Sequence, residues 1–593
     1  MSYATLLIQF LNGLASASAL FLVSAGLSLI FGVTRIVNFA HGSLYMLGAY
    51  IAYSLVAQFG ATIPGYWAAV IVTAVTVGVI GILIEVLLLR RIYRAPELLQ
   101  LIATFAVVLI VKDVALAAWG PQDLLGPRAP GLKGAIAIAG GALPQYDILL
   151  IVLGPLVLAF LWLLLRRTRW GILVRAATED REMAEALGVN QVWLFSTVFF
   201  VGALLAGLAG ALQLPREPAN LAMDLSIIAD VFVVTVVGGL GSIPGAFVAA
   251  LIISLIKSLC IALGDVTVFG VAVSFSKLTL VAEFVVMAVV LAFRPWGLFG
   301  RPPSMLAAAS EQRDLISSPG AGLKLAGVVV LAALIAAPWI GDDYLTVLLT
   351  DILVFALFAA SLHFLMGPGG MASFGHAAYF GLGAYAAALL VKRAVPMELA
   401  LAQITWSIAF QWDAVTGGSN GLVGVWPAAW LSNRFAYYYL TLAAVIIALL
   451  VLWRIIYAPF GYALRGARDS PLRAEAIGID VRGTQWAAFV AAGLFAGVAG
   501  ALYAFSKGSI SPETLAIPRS IDGLVMVLLG GLQTLVGPVV GAAVFTWLQD
   551  TVSRQTDFWR ALLGGVILVL VLLFPQGIAG VAGRLSRRPR ADA

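Results

Sequence analysis

The chain has 593 residues, of which 62% are hydrophobic and only 11% are charged. Soluble domains are roughly 45–50% apolar and 25% charged, so the composition excludes a soluble enzyme and a nucleic-acid-binding domain, and the single cysteine, Cys260, excludes a disulfide scaffold. The net charge is +6, and excess Lys and Arg in a membrane protein mark cytoplasmic loops. At roughly 20 apolar residues per crossing, the sequence predicts an all-α polytopic membrane protein of roughly 15–18 helices.

The first apolar segment, residues 5–31, contains the small-residue run ASASA, which resembles a signal-peptidase site. No Lys or Arg precedes it, whereas a signal peptide has a basic N-terminal region. We therefore expect an uncleaved first helix.

Several segments occur twice, in the same order. The matching pairs are FAHGSLYMLGAY (39–50) with FGHAAYFGLGAY (374–385), GILVRAATEDREMAEALGVN (171–190) with GYALRGARDSPLRAEAIGID (461–480), VGGLGSIPGA (237–246) with LGGLQTLVGPVVGA (529–542), and FRPWGLFG (293–300) with FPQGIAG (574–580). The first pair is 335 residues apart and the second 290. We expect two homologous transmembrane helix bundles in tandem, produced by duplication or fusion.

Composition places the boundary between the bundles in residues 301–323, which are rich in Pro, Ser, Ala and charge. The predicted domains are residues 1–300 and 324–593, with 301–323 as a cytoplasmic linker. Arginine clusters predict the cytoplasmic loops: Arg90, Arg91 and Arg94; Arg166, Arg167, Arg169, Arg175 and Arg181; Arg294 and Arg301; Arg454, Arg465, Arg468, Arg473 and Arg482; Arg584, Arg587, Arg588 and Arg590. The loops 120–146 and 339–344 are then expected outside.

The repeated loops 171–190 and 461–480 are polar but have helical spacing. Ala184, Leu187 and Gly188 are expected on one helix face. In the second copy, Ala474, Ile477 and Gly478 are likewise expected to share one face. Each loop contains Glu-Ala-(Leu/Ile)-Gly, at 185–188 and 475–478. One interpretation is an amphipathic helix on the membrane surface, and the other is a docking element for a partner.

These motifs resemble the coupling-helix motif of ATP-binding cassette (ABC) importer permeases. NFAHG, EALGV, GGLGSIPGA and FRPWGLFG resemble the LivH-like permease of branched-chain amino acid importers, and FGHAAYFGLGAY, TGGSNGL (416–422), EAIGI, the second glycine segment and FPQGI resemble its LivM-like partner. The resemblance implies a fused pair of permeases in the bacterial inner (plasma) membrane. It also implies a small amino acid or amide substrate, of which branched-chain amino acids are the first expectation.

The resemblance implies two ABC ATPase subunits (LivG/LivF-like) and a periplasmic substrate-binding protein as partners. The chain contains no GxxxxGK[ST] phosphate loop, so we expect it to bind no cofactor itself, with ATP and Mg on the ATPase subunits, and to have no catalytic residues. Glu185 and Glu475 would anchor the coupling loops, and Gly188 and Gly478 would permit close backbone approach. The full set of expected coupling residues is Arg175, Glu185, Ala186, Gly188, Arg465, Glu475, Ala476 and Gly478.

Polar residues in an apolar wall are candidates for a substrate path, here Asn38, His41, Ser373 and His376. The alternative is that each histidine satisfies a carbonyl at a helix end. No metal site is expected, because no carboxylate or thiol accompanies the histidines. Helix packing and turns are the expected role of Gly238, Gly239, Gly245, Gly530, Gly531 and Gly541. Snorkelling at helix ends is expected of Glu85, Lys112, Asp113, Lys277 and Glu283.

The second half is shorter between its His-Gly motif and its polar loop, and one helix near 392–400 is missing from the pattern. If 399–413 crossed the membrane, the loop 461–480 would lie outside, whereas its arginines predict that it lies in the cytoplasm. We therefore expect that 397–413 makes no simple crossing, or that the chain is a truncated variant.

Two other classes of function remain. An ion-coupled secondary transporter of small polar solutes also has repeats, but it would have acids in mid-helix, whereas the acids here are expected at helix ends or in loops. A membrane-embedded hydrolase would need a nucleophile and acid beside the histidines, and the sequence offers no such set.

Overall fold

The computed structural model describes residues 3–573 except 301–320, 394–420 and the short gaps at 61, 94, 96, 139, 269–270 and 533. Two compact units make up the chain: unit 1 is Met1–Ala307 with Phe558–Leu568, and unit 2 is Ala308–Asp557 with Val569–Ala593. Regular structure in the described part is almost entirely helical, which confirms the predicted class.

Unit 1 begins with α1, whose 32 residues make it the longest of the described helices. Helix α3 continues through a π-helical turn, Glu85–Leu89, and a last turn, Arg90–Ile92. The helices are α1 (Tyr3–Thr34), α2 (Ala40–Phe59), α3 (Ile63–Ile84), α4 (Glu97–Trp119), α5 (Gln145–Arg167), α6 (Arg169–Glu179), α7 (Arg181–Ala186), α8 (Gln191–Gln213), α9 (Met223–Gly238), α10 (Ile243–Leu263) and α11 (Phe275–Phe293). Two antiparallel hairpins join α4 to α5 and α10 to α11: β1 (Ala135–Ile138) with β2 (Gly141–Pro144), and β3 (Asp265–Val268) with β4 (Val271–Ser274).

Unit 2 repeats much of this order. Its helices are α12 (Ala321–Ile340), α13 (Asp343–Met366), α14 (His376–Arg393), α15 (Arg434–Ile456), α16 (Pro459–Asp469), α17 (Pro471–Ala476), α18 (Val481–Lys507), α19 (Ile517–Gly530) and α20 (Val536–Ser553), followed by α21 (Trp559–Leu573), whose first part groups with unit 1. A short strand pair, β5 (Leu422–Val423) and β6 (Ser509–Ile510), closes one end of unit 2. Because α12 begins at Ala321, the last three residues of the predicted linker are helical; the rest of the linker lies outside the described residues.

Ten helices in the described part are long and apolar enough to cross a membrane, which fits a multi-pass protein. They are Tyr3–Thr34, Ile63–Ile92, Leu99–Trp119, Gln145–Arg167, Gln191–Gln213, Ile243–Leu263, Phe275–Phe293, Asp343–Met366, Arg434–Ile456 and Val481–Lys507. The predicted range of roughly 15–18 helices counts every apolar residue toward a 20-residue crossing. Many lie instead in shorter helices, such as α9 with 16 residues and α19 with 14.

Glycines allow two helices of each unit to pack closely against each other, α2 with α8 in unit 1 and α14 with α18 in unit 2. A Cβ atom on Gly48 of α2 would lie 2.8 Å from Cα of Gly207 in α8. The equivalent glycines of unit 2, Gly383 in α14 and Gly497 in α18, make the same backbone contact. The 335- and 290-residue repeats therefore converge on one packing contact in both units.

The described residues on either side of 394–420 lie close together. Leu389 of α14 and Leu422 of β5 belong to one buried cluster with Ile510, which follows α18. Since α18 has 27 residues and is about 40 Å long, this cluster lies at the end of unit 2 opposite α17. The described residues that flank 394–420 thus lie at one end of unit 2, and the loop 461–480 lies at the other end. The predicted segment 397–413 and residues 416–420 of TGGSNGL lie outside the described residues, as do 574–593.

Candidate functional site

The repeated polar loops fold into two matching pairs of helices. The pair α6 and α7 and the pair α16 and α17 begin and end at positions 290 residues apart. Different residues start the helices: in unit 1, Thr168 Oγ1 accepts from Gly171 N at 3.0 Å and Asp180 Oδ1 from Met183 N at 2.9 Å. In unit 2, Pro459 and Pro471 occupy the first turns, where a missing N–H costs nothing. Two local sequences thus produce one geometry.

Both short helices end at a glycine in the same conformation. The Gly188 and Gly478 amides donate to Glu185 O at 2.9 Å and Glu475 O at 3.0 Å, and φ is 87° at both glycines. No heavy atom lies within 4 Å of a Cβ built on either residue. Within the chain, therefore, positive φ explains these glycines, and the close backbone approach expected of them has no partner here.

The ends of these helices expose apolar side chains. Leu187 and Ile477, at equivalent positions, are both 78% exposed. The expected shared face is wrong, because α7 ends at Ala186 and Ala184 alone turns inward; Ala474 is its buried counterpart. The predicted coupling residues Glu185, Ala186, Glu475 and Ala476 are exposed. An exposed leucine and isoleucine beside acidic residues form a surface suited to a protein partner.

Arg175 and Arg465, predicted as equivalent coupling residues, differ in environment. Arg175 is exposed, whereas Arg465 is buried. Arg465 Nη2 donates to Ile456 O at 3.0 Å, Nε donates to Gly461 O at 3.1 Å, and the guanidinium lies 4.3 Å from the ring centre of Tyr462. Arg465 therefore fixes the corner between α15 and α16. Burial also raises the pKa of Tyr457, which lies at this corner.

In unit 1 a buried polar network lies next to α7. Glu85, fully buried at the π-helical turn, accepts from Tyr93 Oη at 2.8 Å, Arg90 Nη2 at 3.0 Å and Ser196 Oγ at 2.7 Å. Burial raises the pKa of Tyr93, and the neighbouring Glu85 carboxylate raises it further, so the phenol stays protonated and donating. The network joins the end of α3 to the first turns of α8.

Arg181 connects α7 to this network. Its guanidinium lies 4.5 Å from the ring centre of Phe195 and 5.7 Å from that of Tyr93, and its Nε donates to Gln191 Oε1 at 2.9 Å. Pro471 replaces Arg181 in unit 2, where Arg468 Nη1 instead donates to Gly367 O at 2.7 Å, after the end of α13. Sequence comparison missed this difference because it pairs similar residues and not their contacts.

The predicted path residues lie inside each unit. His41 is fully buried and its Nε2 donates to Val23 O of α1 at 2.9 Å. His376 is also fully buried; its Nε2 lies 2.8 Å from Ser361 Oγ of α13, and because that hydroxyl donates to Phe358 O, the histidine is the donor. Asn38 Oδ1 accepts from Ala40 N at 3.1 Å, and Ser373 is buried. The alternative of a carbonyl at a helix end is thus met only in part, because His41 donates to a carbonyl in the middle of α1 and His376 donates to a hydroxyl.

The two glycine segments form matching tight turns. Gly239 and Gly531 have φ of 101° and 104°, which strongly favours glycine. A Cβ on Gly238 would lie 2.6 Å from Ala246 N, and one on Gly537 would lie 2.9 Å from Gly530 O. The structural counterpart of Gly245 is therefore Gly537 and not Gly541, whose own Cβ would overlap Met526 O.

Several charged residues expected to snorkel are buried. Glu85, Asp113 and Glu283 are 0%, 1% and 4% exposed. Asp113 Oδ2 accepts from Ala561 N at 2.7 Å, within unit 1. Glu283 lies in the middle of α11, so the expectation that all acids lie at helix ends or in loops is wrong. Its partner is Lys257, which sequence reasoning overlooked because the two residues are distant in the chain.

No group of three or more His, Cys, Asp or Glu suited to a metal occurs in the described part of the chain.

Comparison with known proteins follows the same division. The sequence model of the family described as "Branched-chain amino acid transport system / permease component" matches residues 9–294 and 401–572. The chain is 30% identical over 308 residues to the permease BraD of Pseudomonas aeruginosa, covering 50% of this chain and 95% of BraD. It is 28% identical over 306 residues to LivH of Escherichia coli K12, covering 50% and 95%, and 28% identical over 148 residues to LivM of that organism, covering 25% and 35%.

Proposed function

This chain belongs to the family of branched-chain amino acid transport permease components, and we propose that it supplies both transmembrane parts of an ABC importer. Similarity to BraD and LivH and, separately, to LivM supports a fusion of two permeases that occur as separate proteins. The chain is a multi-pass protein of the bacterial inner membrane. Its proposed substrates are leucine, isoleucine and valine, or a related small amino acid or amide.

The observation that carries the proposal is the duplicated pair of short helices. The pairs α6–α7 and α16–α17 have equal lengths, equal φ at their final glycines and equal exposure of Leu187 and Ile477. We call the exposed end of each helix pair, with Leu187 in unit 1 and Ile477 in unit 2, a knob. Two matching knobs would provide one docking point for each of two dimerising ATPase subunits. Each knob would enter a groove on one ATPase, so closure of the ATPase pair on ATP would move both helix pairs together.

The contacts behind the two knobs support transmission of that motion. In unit 1, Arg181 stacks on Phe195 and Tyr93, and Tyr93 bonds to Glu85 in the π-helical turn of α3. In unit 2, Arg468 reaches Gly367 beyond α13. Movement of either helix pair would therefore be transmitted to a long apolar helix through charge-assisted contacts. The proposed partners are two LivG/LivF-like ATPases, which would hold ATP and Mg, and a periplasmic substrate-binding protein.

The alternative, an ion-coupled secondary transporter, is not favoured by the comparisons. The mid-helix acids Asp230 and Glu283 are the kind of residue that such a transporter uses, but both are paired with Lys257.

Co-purification tests the ATPase-docking part of the proposal. We expect the chain, co-expressed with its cognate ATPases, to retain both in detergent, and the double variant L187E/I477E to lose them, because two carboxylates would enter apolar grooves. L125E/V423E is a matched control, since Leu125 and Val423 are 75% and 67% exposed and lie away from the helix pairs. Equal retention of ATPases by L187E/I477E would contradict docking through these knobs.

A further inference from the structure

Asp230 and Asp522 occupy equivalent positions in the two units. Each lies eight residues before a Gly-Gly pair, 238–239 and 530–531. Ser242 and Thr534 are as far apart in the chain as Asp230 and Asp522. Their side chains accept from Gly245 N and Gly537 N in the turns that follow. The helices α9 and α19 share few other residues, and each of these carboxylates lies well inside its helix.

In unit 1 the carboxylate lies in an unbalanced cluster of charges. Lys257 Nζ lies 3.1 Å from Asp230 Oδ2 and 2.5 Å from Glu283 Oε2, so one ammonium serves two carboxylates. The Glu283 side chain is 6% exposed, whereas Asp230 is 32% exposed and Lys257 is 26% exposed. Glu283 is thus the more buried of the two carboxylates that contact Lys257, and Asp230 and Lys257 are both partly exposed.

In unit 2 the carboxylate has a cation on its own helix. Arg519 Nη1 lies 3.4 Å from Asp522 Oδ2, and the side chains are 22% and 23% exposed. The guanidinium lies over the rings of Phe355, at 5.2 Å, and Tyr503, at 5.8 Å. A single long contact uses little of a guanidinium fork that can bind a carboxylate through two bonds. The aromatic rings hold Arg519 in place without occupying its donors.

We propose that Asp230 with Lys257, and Asp522 with Arg519, are two equivalent contact sites for the zwitterionic backbone of the transported amino acid, an inference that rests on the proposed function. At each site the aspartate receives the α-ammonium group and the neighbouring cation receives the α-carboxylate. A zwitterion exchanges one ion pair for two, so no charge is left unpaired in an apolar environment. The aliphatic substrate side chain needs only the apolar surroundings that the helices already supply.

The experiment measures uptake of labelled leucine by proteoliposomes that contain this chain, its ATPases and its binding protein. D230N and D522N remove one charged acceptor each, and we expect KM to rise, or uptake at low leucine to fall, by about tenfold to a hundredfold. Size-exclusion behaviour should stay unchanged, which would show that both variants fold. D550N is the control, since Asp550 is 29% exposed and pairs with Arg554 at 3.1 Å outside the proposed sites.

A purely structural ion pair gives a different pattern. Neutralising both partners, as in D522N/R519Q, would relieve the unpaired charge and restore uptake if the pair only stabilised the fold. We expect the double variant to transport no better than D522N, and D522E to recover part of the uptake. Normal KM in D230N and D522N, or recovery in D522N/R519Q, would overturn the inference. Absence of ATP-dependent leucine uptake by the unmodified complex would instead contradict the proposed function.

Discussion

Gly188 and Gly478, 290 residues apart in the chain, end their short helices with the same φ of 87°. Around them the hydrogen bonds also match: the residue after each glycine donates to Ala184 O at 3.1 Å or to Ala474 O at 3.0 Å. Each unit therefore presents the same small surface, as the proposed docking of one ATPase subunit to each unit requires.

Substituting these glycines should weaken the docking surface. G188A and G478A force alanine into a left-handed conformation, which costs about 1–2 kcal/mol and favours unwinding of the last turn. We expect each variant to lower leucine-dependent ATP hydrolysis in the reconstituted complex, with the double variant lower than either. G466A is the control, because Gly466 lies within α16 and its Cβ would meet only Ile479 Cδ1, at 4.0 Å. Equal loss in G466A would show that φ is not the cause.

The two equivalent arginines should respond differently to truncation. R465A removes two hydrogen bonds to carbonyls and a ring contact from a buried corner, and we expect a loss of about 2–4 kcal/mol in unfolding free energy. R175A removes an exposed side chain and should change stability by less than about 0.5 kcal/mol. Thermal unfolding in detergent measures both, and equal shifts would contradict the contacts described for Arg465.

Breaking the Glu85 network should uncouple hydrolysis from transport. E85Q keeps the shape but removes the charge that accepts from Tyr93, Arg90 and Ser196, at a cost of about 1–3 kcal/mol. We expect fewer leucine molecules transported per ATP hydrolysed, while the ATPases remain bound. E217Q changes an exposed glutamate away from the network and should keep the wild-type ratio. A wild-type ratio in E85Q would exclude transmission through Tyr93.

The tight turn between α9 and α10 should not accept a larger residue. A Cβ on Gly238 meets backbone atoms that cannot rotate away, and overpacking of this kind costs about 1–3 kcal/mol. We expect G238A to lower the thermal unfolding midpoint in detergent. G327A is the control, because a Cβ there meets nothing within 4 Å. A midpoint of G238A equal to that of G327A would contradict the close approach.

The sequence predicted the helical class, the tandem organisation and the paired loops, because apolar runs and repeated motifs are local features. It did not predict the contacts of Glu283 with Lys257 or of Arg181 with Phe195, because these join distant segments. Repeat alignment also assigned one role to Arg175 and Arg465, although Tyr462 lies beside only the second. The position of a residue in a repeat predicts which helix it lies on. Its interactions depend on the side chains that contact it in the folded protein.

We propose that this chain converts ATP hydrolysis by partner subunits into inward movement of a small amino acid. The most direct measurement is uptake of labelled leucine into proteoliposomes holding the chain and its ATPases, with ATP inside and the binding protein outside. We expect uptake that requires hydrolysable ATP and both Leu187 and Ile477. Leucine uptake driven by an ion gradient in the absence of ATP would contradict it.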